Sequence, residues 1–130
     1  MAFSFSSRSL AKLKGVHPDL VRVAKRAITI TPIDFIVTCG LRTLEEQKVL
    51  FKTGKSRTMR SRHLTSHAID VAALVDGEVS WNNAPYKTIA KAFKEAAKAE
   101  GVPIEWGGEA FGPNFIDSPH FQLPWAQYPK

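Results

Sequence analysis

Ser61-Arg62-His63-Leu64-Thr65-Ser66-His67-Ala68-Ile69-Asp70 sets a histidine and an aspartate seven residues apart, with small and hydroxylated residues between them. From His67 to Val75 the pattern is that of a strand. Ala68, Asp70 and Ala72 fall on one face and Ile69, Val71 and Ala73 on the other, so Asp70 turns away from the most apolar side. Far downstream, Asp117-Ser118-Pro119-His120-Phe121 supplies a second histidine with a carboxylate three residues before it. Adjacent strands lie about 5 Å apart, so the strand of Asp70 and a strand around His120 to Leu123 can aim both side chains at one point if they are neighbours. His63, Asp70 and His120 would then meet the ligand count of a catalytic zinc ion, which keeps one further position for water.

Two other residues fit that chemistry. Asp117, beside the rigid Pro119, is the candidate base that takes a proton from the attacking water. Arg42 stands at a strand-to-helix junction, where its charged fork can stabilise an oxyanion or hold a substrate carboxylate. Three further side chains read as bystanders. His67 starts the Asp70 strand and is taken as a pocket or surface residue, His17 before Pro18 as a helix-entry residue, and Cys39 as a buried strand thiol.

Around these residues the chain reads as helices and short strands. A helix over Ser9 to Lys14 ends at Gly15, and a second opens at Pro18, with Leu20, Val21, Ala24, Ala27 and Ile28 at helical spacing, and stops before Pro32. Ile33 to Cys39 is β-branched and aromatic enough for a strand. Thr43-Leu44-Glu45-Glu46 is a capping box that starts a helix running to about Thr53. Residues 55 to 66 form a basic loop, and Asp76-Gly77 is a hairpin turn leading into Glu78 to Trp81. Asn82 or Asn83 caps the next helix, whose stripe of Tyr86, Ile89, Ala90, Phe93, Ala96 and Ala97 is core, and Gly101 ends it. A short strand through Ile104 to Trp106 and a glycine-rich loop from Gly107 to Ser118 lead to His120.

At 130 residues the chain suits one domain over 1–130. Its 44% hydrophobic and 23% charged residues rule out wholesale disorder. The formal charge of +6 implies attraction to polyanions, whether nucleic acid, lipid or bacterial envelope, and much of it lies in Lys52, Lys55, Arg57, Arg60 and Arg62. No groove-reading or base-stacking motif accompanies the charge, so nucleic acid is not the expected partner. A single cysteine, Cys39, excludes an internal disulfide and a thiolate zinc cage. With no apolar run of membrane length and no signal-peptide core, cytoplasmic synthesis without membrane insertion is expected.

Ser-x-His-x-x-x-x-Ala-x-Asp from Ser61 to Asp70, Trp106-Gly107-Gly108 and Asp117-x-Pro-His-Phe, preceded by Gly40-Leu41-Arg42-Thr43 and Gln47, together resemble the VanY-like peptidoglycan peptidases. These belong to the wider group of lysostaphin-type and D-Ala-D-Ala zinc peptidases, and the likeness runs from about residue 16 to 123. The resemblance implies an α+β fold with an antiparallel sheet and flanking helices. It makes His63, Asp70 and His120 the Zn2+ ligands, Asp117 the catalytic base and Arg42 a substrate or transition-state contact. Within the group, the short chain and its Asp-x-Pro-His-Phe ending most resemble phage endolysins that cut the L-alanyl-D-glutamate bond of peptidoglycan stem peptides. Such enzymes act as monomers and wait in the host cytoplasm until a holin opens the inner membrane; the charge and lack of a wall-binding module suggest a Gram-negative host.

Three positions depart from the pattern: Ser66 stands for the usual glycine, Cys39 for serine or threonine, and Asp117 for the glutamate of many relatives. Rival readings are a D,D-carboxypeptidase of the same family, a non-catalytic zinc-stabilised module, and a basic nucleic-acid-binding protein.

Overall fold

The computed structural model describes residues 3–54, 62–110 and 117–129. Its helices are α1 (Ser7–Leu13), α2 (Pro18–Ile30), α3 (Leu44–Lys52) and α4 (Asn83–Glu100), joined by a 3-10 turn at Arg62–Thr65. The strands are β1 (Phe35–Cys39), β2 (Ala68–Val75), β3 (Glu78–Ser80), β4 (Glu105–Trp106) and β5 (His120–Gln122). All pair antiparallel in the order β1-β2-β5-β4, with β3 also on β2. The expected α+β architecture is the one observed.

Local chemistry explains the helix starts. Thr43 Oγ1 accepts from the Glu46 amide while Glu46 returns a carboxylate oxygen to the Thr43 amide, the capping box that the sequence spells. His17 is the N-cap of α2, its Nδ1 accepting from the Asp19 amide at 3.1 Å. Asn82 occupies the N-cap of α4 but makes no side-chain capping bond there. Gly101 closes α4 with φ 70°, as a left-handed C-cap requires.

β2 is the spine of the site. Its apolar face (Ile69, Val71, Ala73) is buried with Phe35, Val37 and Phe121 beneath α2 and α4. Phe93 of α4 stacks on Phe121 at 3.9 Å between ring centroids. In α2 the fully buried valine is Val23, with Val21 only partly covered. β2 shares one edge between two partners: β3 lies beside Ala73 to Val75, and β5 beside Ala68 to Asp70, which sets His120 directly opposite Asp70. The hairpin at Asp76-Gly77, with φ of 54° and 81°, limits β3 to the far end of β2 and leaves this edge to β5.

Arg62 closes the basic run before His63, but neither a polyanion-facing nor a solvated charge describes it: it is 2% exposed. Lys55, Arg57 and Arg60 lie outside the described residues. Nη2 of Arg62 donates to the carbonyls of Leu123 at 3.0 Å and Tyr128 at 2.5 Å, and the guanidinium lies over the Trp125 ring at 4.0 Å. Main-chain acceptors for Nε and Nη2 and a ring face replace water over most of the guanidinium, while Nη1 is buried without a hydrogen-bond partner among the described residues. Arg62 thereby ties the segment after β5 to the turn that carries His63.

Ser66, the departure from the family's glycine, sits at φ 66°. The left-handed region costs an L-residue with a Cβ about 1–2 kcal/mol, part of which a polar side chain recovers. Ser66→Gly is therefore expected to raise stability by about 0.5–1 kcal/mol, read as a higher midpoint in urea with an unchanged slope.

Candidate metal and catalytic site

The polar face of β2, the facing residues of β5 and the 3-10 turn bring the predicted residues together. Asp70 Oδ1 lies 3.3 Å from His63 Nε2 and 3.2 Å from His120 Nδ1, and the two rings meet edge to face at 5.1 Å. His63 is 1% exposed and the Asp70 side chain 24%, so the cluster opens to solvent on the aspartate side.

The outward nitrogens fix which ring atom is turned toward Asp70. His63 Nδ1 lies 2.8 Å from the Gly40 carbonyl, which only accepts, so Nδ1 carries the hydrogen and Nε2 turns a lone pair to Asp70. His120 Nε2 lies 2.8 Å from Gln122 Oε1, so by the same argument Nδ1 of that ring is the lone pair facing Asp70. Two imidazole lone pairs and a carboxylate oxygen thus converge without a donor among them. Such a set repels itself until a cation or proton enters, and imidazole with carboxylate suits a zinc-like divalent ion. Among the described residues the groups able to hold a metal are Cys39, His63 and Asp70, and Asp70, Asp117 and His120; they share Asp70, and neither contains both histidines.

Without a metal the proton takes that role. Burial works against a charged His63, but its bonds to Asp70 and Cys39 prevail and push its pKa up to about 10. Burial likewise opposes the Asp70 charge, and the contacts of His120 and His63, which become hydrogen bonds only once a proton enters the cluster in place of a metal, overcome it and hold the carboxyl far below the usual range. Burial raises the Asp117 carboxyl, and the negative charge of Asp70 raises it further, against the opposing pull of His120, His63 and Arg42. Asp117, Asp70 and His120 each present a ligand-type atom within 4.8 Å of the others.

Glycines make room for this geometry. A Cβ on Gly107 would collide with the Asp117 carbonyl and approach the Cβ atoms of His120 and Asp117 at 3.0 and 3.1 Å. The Gly107 amide donates to the His120 carbonyl at 2.7 Å, and its own carbonyl accepts from the Asp117 amide at 2.9 Å. Gly107→Ala is therefore expected to move Asp117 and His120 together and to lower the activity of the site by about tenfold or more. The measurement is kcat/KM with the metal content of the variant determined in parallel.

Arg42 reaches the same place. Its Nη2 lies 3.8 Å from Asp70 Oδ2, and Nη1 donates to Gln47 Oε1 at 2.6 Å. Gln47 is fully buried, and its tethering role is more than the sequence reveals. Cys39 is on a strand as expected but half-buried rather than buried: a β-bulge between Val37 and Cys39 brings it opposite Asp70. Its Sγ lies 3.7 Å from His63 Nδ1 and accepts from Arg42 Nη2 at 3.5 Å. Burial would raise this thiol, but the bond and charge of His63 outweigh it and lower its pKa. Cys39, His63 and Asp70 form a second set able to hold a metal. His67 lies apart, buried against His17 and Tyr128, with Nδ1 2.7 Å from Thr65 Oγ1.

Comparison with known proteins adds the family and the fold. The structure matches that of the Serratia marcescens L-Ala D-Glu endopeptidase ChiX with a TM-score of 0.91 and 45% identity, covering 98% of this chain and 95% of that one. An L-alanyl-D-glutamate peptidase of Escherichia phage T5 is 33% identical over 113 residues, 84% of this chain and 82% of the relative. One of Listeria phage A118 is 31% identical over 131 residues; the match takes in 98% of this chain but 45% of that longer protein. The sequence profile described as phage L-alanyl-D-glutamate peptidase matches residues 1–123, and the chain belongs to that family.

Proposed function

We propose that this chain is a zinc-dependent peptidase that hydrolyses the L-alanyl-D-glutamate bond of peptidoglycan stem peptides. The observation that carries the reading is that Asp70 Oδ1 meets His63 Nε2 at 3.3 Å and His120 Nδ1 at 3.2 Å, with Asp117 within ligand reach of Asp70 and His120, in a member of this family. His63, Asp70 and His120 would hold the ion. When bound, zinc polarises the scissile carbonyl and brings the pKa of its water to about 7.

The chain's own residues supply the remainder. An Asp117 carboxylate takes the proton of the attacking water and returns it to the departing amine, and its raised pKa brings it nearer the neutral range where transfer in both directions is efficient. Gln47 and Cys39 hold the Arg42 guanidinium at the edge of the site, where it stabilises the oxyanion or grips a substrate carboxylate. The basic surface charge favours approach to an anionic wall. The same reading carries synthesis in the host cytoplasm, holin-type release and action as a monomer.

Digestion of purified Gram-negative peptidoglycan, followed by mass spectrometry of the fragments, tests the proposal. New L-alanine carboxyl termini left on the glycan side and peptides beginning with D-glutamate are expected. Release of D-alanine alone would replace this reading by the D,D-carboxypeptidase, and no product in zinc-containing buffer would overturn both.

A further inference from the structure

Beyond the three ligands, one row of side chains on the polar face of the sheet has a defined hydrogen-bond direction. Gln122 follows His120 by two residues on β5, so both point to the same face, and Glu105 of β4 is the cross-strand partner of Gln122. Gln122 Nε2 donates to Glu105 Oε1 at 2.9 Å, and Gln122 Oε1 lies 2.8 Å from His120 Nε2. Gln122 is buried, so it has little water with which to exchange these partners.

The direction follows from Glu105. A carboxylate only accepts, so the Gln122 amide must turn its NH2 toward Glu105 and its oxygen toward His120. The oxygen in turn demands a hydrogen on His120 Nε2, leaving the Nδ1 lone pair aimed at Asp70. In the reversed amide, an NH2 would face Nε2, draw the lone pair to the wrong side of the ring and put N–H against the metal position.

The geometry points to Glu105 and Gln122 as a relay of positioning residues that sets the His120 tautomer for metal binding. The inference rests on the zinc peptidase reading above. His63 has a backbone carbonyl for this purpose, which no side-chain substitution removes, so the relay is the adjustable half of the site. Outer partners of this kind typically change metal affinity by about 10–100-fold.

The test is the zinc dissociation constant of the full chain, measured by competition with a chromophoric chelator, for the wild type, Gln122→Leu, Glu105→Gln, and the exchanged pair Glu105→Gln with Gln122→Glu. Gln122→Leu is expected to weaken zinc binding by about 10–100-fold and Glu105→Gln by less, because an amide at 105 no longer dictates the orientation of Gln122. In the exchanged pair a carboxylate at 122 accepts from His120 Nε2 while the amide at 105 donates to it. Affinity should return to within a few-fold of wild type, a recovery that a purely structural role of either residue does not predict.

Wild-type affinity in Gln122→Leu, or no recovery in the exchanged pair, overturns the relay while leaving the zinc reading intact. A wild-type chain that binds no zinc overturns the zinc reading itself and the relay with it. Far-UV circular dichroism confirms that each variant is folded, and an unfolded Gln122→Leu leaves the exchanged pair to decide.

Discussion

Asp117→Asn is expected to lower kcat/KM on peptidoglycan fragments by about 10²–10⁴-fold, the usual contribution of a positioned general base, while zinc affinity stays within a few-fold of wild type. The amide keeps the size of the side chain but cannot take a proton. Asp117 also lies within ligand reach of Asp70 and His120, so the structure allows it two roles. They separate cleanly in this experiment. Loss of activity with metal retained assigns it the proton transfer; loss of both in parallel would make it a fourth ligand and leave the base to be sought elsewhere. The pH profile adds a sign: because burial and the Asp70 charge raise its pKa, the acid limb of kcat/KM should lie above the ordinary aspartate range and vanish in the variant.

Much of this site is written in local patterns. The strand alternation around Asp70 turns its carboxylate from the core, and the Asp76-Gly77 turn keeps β3 off the edge that β5 occupies. The capping box placed Arg42 at the start of α3, where its amide donates to the His63 carbonyl at 2.9 Å and joins the two segments. What sequence leaves hidden depends on pairings distant along the chain. Cys39 reads as a core thiol because nothing local announces the β-bulge that swings it toward His63. Arg62 reads as one charge in a basic run because its acceptors are carbonyls some sixty positions downstream, with the Leu123 bond spanning 61 residues. Gln122 and Glu105 gain meaning only from the β4–β5 register.

Ser66 shows the reverse case. A serine in place of glycine is visible in the sequence, and the structure keeps the glycine-type backbone at φ 66° rather than rebuilding the loop. The Ser66 carbonyl accepts from the His17 amide at 2.8 Å, so the start of α2 helps hold that conformation. The strain stays in the backbone of that one residue.

Removal of the metal should make stability strongly dependent on pH in the alkaline range. In the metal-free protein His63 holds a proton against Asp70, with its pKa raised from 6.5 to about 10. A group whose pKa is raised on folding stabilises the fold fully below its unfolded value and loses that contribution as pH rises through the folded value. The chelated protein should therefore be firm near pH 6 and lose thermal stability progressively from pH 6.5 to about 10. Asp70 works in the opposite direction: its depressed pKa adds stability above the ordinary aspartate range, lost only on strong acidification. Zinc must expel the His63 proton to use Nε2, so its apparent affinity should rise about tenfold per pH unit below that value, one proton being released per ion bound. Calorimetric titration in buffers of different ionisation enthalpy counts the proton, and melting curves with and without chelator follow the stability. An affinity independent of pH would show that His63 Nε2 is not a ligand.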